Sequence, residues 1–176
     1  TIMAEIIIPF LQKVGILWAT EEINVAQEHF ISNLIRRKLI VAIDAIIPNP
    51  DYTKKFLLFL PEGEMHELGL LFAKYLVKSR GFKTIYLGQS VPLQDVLKLR
   101  EYYRPDYILT YFTLTHDAQK MHQYVQGLLN TFQKETILLC GPQAASLSFP
   151  LPPNCKIIQT IPQLIDILNK VNQSSR

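Results

Sequence analysis

Phe56-Leu57-Leu58-Phe59-Leu60-Pro61-Glu62-Gly63-Glu64-Met65-His66-Glu67-Leu68-Gly69 is the stretch on which the fold turns. The apolar run Phe56–Leu60 has the length of a strand. Pro61, Glu62 and Gly63 break it, and helical spacing resumes over Leu68–Lys78. The alternation then repeats. Strands are expected at Thr84–Leu87, Tyr107–Phe112, Thr136–Leu139 and Lys156–Gln159. Helices are expected at Pro92–Tyr103, Asp117–Asn130 and Pro162–Val171, the first with proline at its opening position. Strands alternating with helices predict a five-stranded parallel sheet covered on both faces, an α/β domain of flavodoxin or Rossmann-like type. Ligands of such sheets bind beyond the carboxyl ends of the strands. The candidate loops are therefore Pro61–Glu67, Gly88–Val91, Thr113–His116 and Gly141–Ala144.

Residues 48–54, with Pro48, Pro50 and turn-forming neighbours, read as a linker between residues 1–47 and 55–176. Before it the pattern is helical. Ile7, Phe10, Leu11, Val14, Leu17 and Trp18 share one face, and Pro9 is expected to kink or break that segment. Thr20 reads as the N-cap of a second helix running to about Ile46, with Glu21 and Glu22 in its first turn. The second helix is apolar over most of its girth, from Ile23 through Phe30 and Leu34 to Ala45. Two helices cannot bury so wide a face alone.

The chain has 176 residues, 48% hydrophobic and 19% charged, with a net charge of +3. This composition excludes a disordered tail, and no apolar run approaches a membrane span. The mild positive charge carries no long Lys/Arg block, so charge alone does not argue for nucleic-acid binding. Cys140 and Cys155 are too few for a disulfide framework, and the expected setting is a reduced cytoplasm. Both read as small apolar residues at strand ends.

Within the first loop, Glu64 stands two residues before His66. A carboxylate there takes the proton of one imidazole nitrogen and leaves the other free for a metal. Alone, Glu-x-His is an ordinary polar loop with an exposed histidine; its place in the first strand-to-helix loop is what sharpens it. Gly69, a helical turn on, removes a side chain where something bulky must approach the backbone. In the N-terminal part, nine residues separate Trp18 from Glu28-His29. A short helix connection would bring these together two turns into the second helix. Glu22, His29 and Arg36 at spacing seven also suit a solvated stripe, and Trp18 suits a core.

Taken together, the two constellations resemble a known family. Glu64-Met65-His66-Glu67-Leu68-Gly69 is similar to the D/E-x-H-x-x-G motif of cobalamin-binding domains. Trp18-x9-Glu28-His29 resembles the upper-face motif of cobalamin-binding MerR-type transcriptional regulators, the light-sensing repressors. Ile8-Pro9-Phe10-Leu11 before Trp18, and Tyr86-Leu87-Gly88 before Pro92, fit the same frame. The resemblance implies a partial four-helix bundle over residues 1–47 as a cap, and a cobalamin domain over 55–176. It implies adenosylcobalamin, with methylcobalamin as the other form, bound base-off with His66 on cobalt and Glu64 behind it. Trp18, Glu28 and His29 would face the upper ligand. Gly69, Gly88, Thr110, Thr113 and Gly141 would line the cofactor tail.

The expected protein is a non-enzymatic sensor that forms a dimer or tetramer. It would meet DNA through a winged helix that this sequence does not contain, and it would not engage a membrane. Ala19 stands where the light-sensing repressors carry a second cobalt-binding histidine, so a bis-histidine photoproduct does not carry over. The family's S-x-L segment is Thr110-Tyr111-Phe112, and its Gly-Gly is Gly141-Pro142. Two rival readings are a corrinoid methyl carrier of a cobalamin-dependent methyltransferase and a degenerate oligomerisation module without cofactor.

Overall fold

The computed structural model describes residues 24–47, 54–113 and 118–174, together with Pro9 and Lys13, both helical. Trp18, Ala19, Thr20, His116 and residues 48–53 of the expected linker lie outside the described residues. The chain divides into two compact units, Thr1–Val41 and Ala42–Arg176.

Helix α1, Val25–Asp44, starts later than expected. Asn24 is its cap. Gln27 N donates to Asn24 Oδ1 and Asn24 N to Gln27 Oε1, each at 2.9 Å. This reciprocal box satisfies two backbone N–H groups that a helix start leaves unpaired. Glu28 and His29 consequently sit in the opening turn of α1, and not two turns into it. The wide apolar face of α1 is only partly covered: Val25, Phe30, Leu34 and Val41 are exposed.

The second unit is built on β1 (Lys55–Pro61), β2 (Lys83–Val91), β3 (Tyr107–Tyr111), β4 (Thr136–Cys140) and β5 (Cys155–Ile158). They form one sheet in the order β2-β1-β3-β4-β5, and every pairing is parallel. The expected α/β sheet is therefore present. Its helices are α2 (Glu67–Lys78), α3 (Leu93–Leu99), α4 (Ala118–Thr131) and α5 (Ile161–Ser174), with a 3₁₀ turn at Pro142–Ser146.

Alternation along the strands makes two cores. Leu57, Phe59, Ile108, Ile137 and Leu139 meet Val96 of α3 and Met121, Val125 and Leu128 of α4. On the opposite face α2 packs over β1, β2 and β3, burying Leu70, Ala73, Leu76 and Val77. Phe56 there stacks on Tyr107, ring centres 4.6 Å apart. Each such fully buried apolar side chain stabilises the fold by about 1.5–3 kcal/mol. At the amino ends of the strands, Asp106 accepts Lys55 N at 2.8 Å and Lys54 Nζ at 3.1 Å, tying β3 to β1.

Two expected loops and one helix end differ. Gly88–Val91 belongs to β2, which runs four residues beyond Leu87 and shifts register against β1 at Phe59 and Pro61. Gly141–Ala144 opens the 3₁₀ turn, where Pro142 suits the first position because its missing N–H has no partner to lose. Helix α3 ends at Leu99, four residues short of Tyr103.

Candidate functional site

The strand order changes direction about β1 and β3, so a crevice opens beyond their carboxyl ends. Glu64 lies in the loop that leaves β1. Its side chain is fully buried, and N–H groups of His66 and Thr113 converge on it. Oε1 accepts His66 Nδ1 at 2.6 Å and His66 N at 3.0 Å. Oε2 accepts Thr113 N at 2.8 Å. A carboxylate acceptor requires the proton of neutral His66 on Nδ1, so Nε2 carries the free lone pair. His66 caps the start of α2, and its side chain is 53% exposed. The burial of Glu64 and the exposure of His66 make one rigid, oriented donor at the rim of the crevice.

The loop itself is held from β2. Ser90 Oγ accepts Gly63 N at 3.1 Å, Ser90 N donates to Glu64 O at 3.2 Å, and Gln89 Nε2 donates to Met65 O at 2.6 Å. For these bonds to form, Ser90 takes φ +50°, which a residue with a β-carbon rarely adopts. Gly88 precedes it at φ +83°. Space does not explain Gly88, because a β-carbon would meet only Tyr86 at 3.7 Å and Glu67 at 3.9 Å; the backbone angle does. Behind the loop, Tyr86 hydroxyl donates to Glu67 Oε1 at 2.8 Å, and Lys74 Nζ lies 4.6 Å from the Tyr86 ring centre. Burial, and then the neighbouring Lys78, lower the Lys74 pKa.

Gln89 and Ser90 fall in the expected ligand loop Gly88–Val91, and Tyr86 and Glu67 in the quoted motifs, but none of the four stands among the expected site residues. Their bonds to the β1 loop join segments distant in sequence, which local spacing does not reveal.

The remaining expected site residues fall differently. Thr113 reaches Glu64 through its backbone. Thr110 is fully buried and its Oγ1 has no hydrogen-bond partner. Gly69 faces Tyr111, whose Cε1 would stand 3.1 Å from an added β-carbon. Gly141, at φ +95°, packs on Phe112: an added β-carbon would lie 2.5 Å from Phe112 O. Its lack of a side chain is thus required by the chain's own backbone. In the first unit, Glu28 accepts the Ser32 hydroxyl and lies 3.2 Å from His29 Nδ1, and His29 is 69% exposed. His122 is exposed on α4 and stacks on Phe149 at 4.3 Å between ring centres. A cleft of about 500 Å³ lies at the carboxyl ends of β1 and β3, lined by Pro61–Gly63, Phe112, Lys120 and Tyr124.

Comparison with known proteins bears on what this donor is for. Residues 1–42 match the family model described as B12 binding domain. The likeness to cobalamin-binding MerR-type regulators, read from the sequence, holds. The chain is 35% identical over 104 residues to the HTH-type transcriptional repressor CarH of Myxococcus xanthus, a match covering 59% of this chain and 34% of that protein. It is 27% identical over 135 residues to the HTH-type transcriptional repressor CarA of the same organism, covering 77% of this chain and 45% of that one. The chain thus spans less than half the length of these relatives. In fold it is similar to the monomethylamine corrinoid protein of Methanosarcina barkeri, with a TM-score of 0.71 and 13% identity, covering 92% of this chain and 78% of that one.

The chemistry of the donor set fits a B12-type cofactor at its lower face. Among the described residues no three His, Cys, Asp or Glu side chains are grouped to hold a bare ion. A lone oriented imidazole suits a metal already held by its own ring. The buried, unpartnered Thr110 hydroxyl marks a second point where a ligand group would satisfy the protein.

Proposed function

We propose that the chain is the cobalamin-binding sensory region of a MerR-like transcriptional regulator, holding cobalamin base-off with His66 as the lower cobalt ligand. The Glu64–His66 pair carries this reading. A fully buried carboxylate fixes the imidazole tautomer and leaves Nε2 free to bind a metal. Gln89 and Ser90 keep the supporting loop in place. The cofactor, when bound, supplies an exchangeable upper ligand; the chain's own residues orient it and shield it. Adenosylcobalamin is the preferred form, because Trp18 would wall a bulky upper group while Glu28 and His29 offer polar contacts.

The protein is read as a non-enzymatic module that assembles with its own copies, meeting DNA through a segment outside these residues. Repressors among its relatives support this reading. Among the described residues, no helix is long and apolar enough to cross a membrane.

The test is incubation with adenosylcobalamin or methylcobalamin, desalting, and a visible absorption spectrum. The parent chain should retain cofactor with a base-off, histidine-bound spectrum. His66→Ala should lose that spectrum, and Glu64→Gln should weaken retention about 10–100-fold. Unchanged spectra in His66→Ala would overturn the assignment. The corrinoid methyl carrier is the second reading, favoured by the fold likeness to a corrinoid protein. Methyl transfer from the methylcobalamin-loaded chain to a thiol or amine acceptor would decide for it.

A further inference from the structure

Gly69 stands one helical turn beyond His66 on α2, and the space left by its missing side chain is already taken. Three atoms of the Tyr111 ring, Cε1, Cδ1 and Cζ, lie 3.1, 3.3 and 3.5 Å from where a β-carbon would be. Tyr111 ends β3, next to Cys140 of β4 in the sheet register. Its hydroxyl lies against the Cys140 thiol, away from solvent. The ring is therefore seated against α2, while Thr110, one residue before it on β3, lies on the other face of the sheet with Ile108 and Phe112.

The rest of the argument depends on the cobalamin reading above. If His66 takes the lower position on cobalt, the cofactor's own base must leave it while staying tethered. That base is flat and aromatic, and it carries a ring nitrogen that accepts a hydrogen bond. It needs a flat space near His66. The space beside Gly69 is one helical turn from His66, and the Tyr111 ring fills it from within the chain.

We propose that Tyr111 is a specificity-determining residue: its ring occupies the slot a displaced base would need, so the chain accepts a corrinoid lacking that base as readily as complete cobalamin. A flat group held in that slot must either push Tyr111 aside or remain outside in water. In neither case does the base add net affinity. The parent chain thus takes a corrinoid ring with or without a nucleotide tail.

The probes are methylcobinamide, which lacks the base, and methylcobalamin, which carries it, with the same upper ligand on both. Affinities are read by absorbance titration, and the spectra report whether His66 is bound. In the parent chain the two dissociation constants should agree within about threefold, a difference too small for a buried aromatic base. Tyr111→Ala should open the slot and shift the preference toward methylcobalamin by about tenfold or more. Tyr111→Phe keeps the ring and should behave as the parent does.

Gly69→Ala serves as the second probe should Tyr111→Ala fail to fold. It should weaken both ligands equally if the slot holds Tyr111, and methylcobalamin alone if the slot holds the base. A parent chain that prefers methylcobalamin tenfold, or a Gly69→Ala effect confined to methylcobalamin, would overturn this proposal and leave the cobalamin reading standing. Binding of neither corrinoid to any variant would overturn both.

Discussion

Ser90 shows how far a single residue acts beyond its own side chain. It adopts a left-handed φ of +50° so that one hydroxyl and one amide can grip Gly63 and Glu64. Such backbone strain costs on the order of 1–3 kcal/mol and persists only where surrounding bonds hold it. Ser90→Ala keeps the strain and loses the acceptor for Gly63 N. We expect it to lower stability by about 1–2 kcal/mol and to loosen cofactor retention several-fold, with a mixed rather than single histidine-bound spectrum. Ser90→Asn tolerates positive φ and offers a side-chain oxygen, so it should restore the spectrum. Thermal unfolding and the visible spectrum of the two loaded variants check this. If Ser90→Ala and Ser90→Asn are equally impaired, the hydroxyl is not what holds the loop.

At the scale of elements, the start of α1 and the end of β2 carry the lesson. Asn24 and Gln27 are an N-cap and its partner three residues on, a pattern readable from sequence. Thr20 with Glu21 and Glu22 read as a stronger start because carboxylates favour a helix N-terminus. The reciprocal bonds of Asn24 outweigh that field effect in setting where α1 begins. Asn24→Ala should therefore destabilise α1 by about 1 kcal/mol. Amide exchange over the first turn, at residues 25–29, should quicken while exchange within β1 and β3 stays slow. Unchanged exchange at 25–29 would remove the cap from Asn24. Strand β2 overran its expected end for a different reason: it is an edge strand, and its last residues gain bonds from the β1 loop instead of from a second neighbouring strand.

For the whole molecule, the buried thiols set a limit at alkaline pH. Cys140 and Cys155 are both free and buried. Burial raises the Cys155 thiol from its ordinary 9.0 to about 11, and raises Cys140 further. A raised folded pKa means that the native state keeps its proton while the unfolded chain has lost it. The resulting stability is fully present below pH 9 and is lost as pH rises through about 11. Thermal unfolding should therefore hold steady up to pH 9 and fall between pH 9 and 11. Cys155→Ala should fall less steeply across that window. A parent melting temperature that is level to pH 11 would contradict the burial of these thiols.

Much of this architecture was legible in the sequence. The apolar run Phe56–Leu60 and the alternation after it determined a parallel α/β sheet, because strand and helix periods differ and only one arrangement buries both. Glu64-x-His66 was equally legible, since two residues in one short loop meet without help from the rest of the chain. What the sequence could not determine were the meetings between distant segments. Thr113 N closes on Glu64 across 49 positions, Ser90 on Gly63 across 27, and Tyr111 of β3 on Gly69 of α2. Gly69 and Gly141 announce that something must come close to the backbone. Only the tertiary structure decides that Tyr111 and Phe112 are what come close, because sheet register and helix packing, not local spacing, set which side chains share a space.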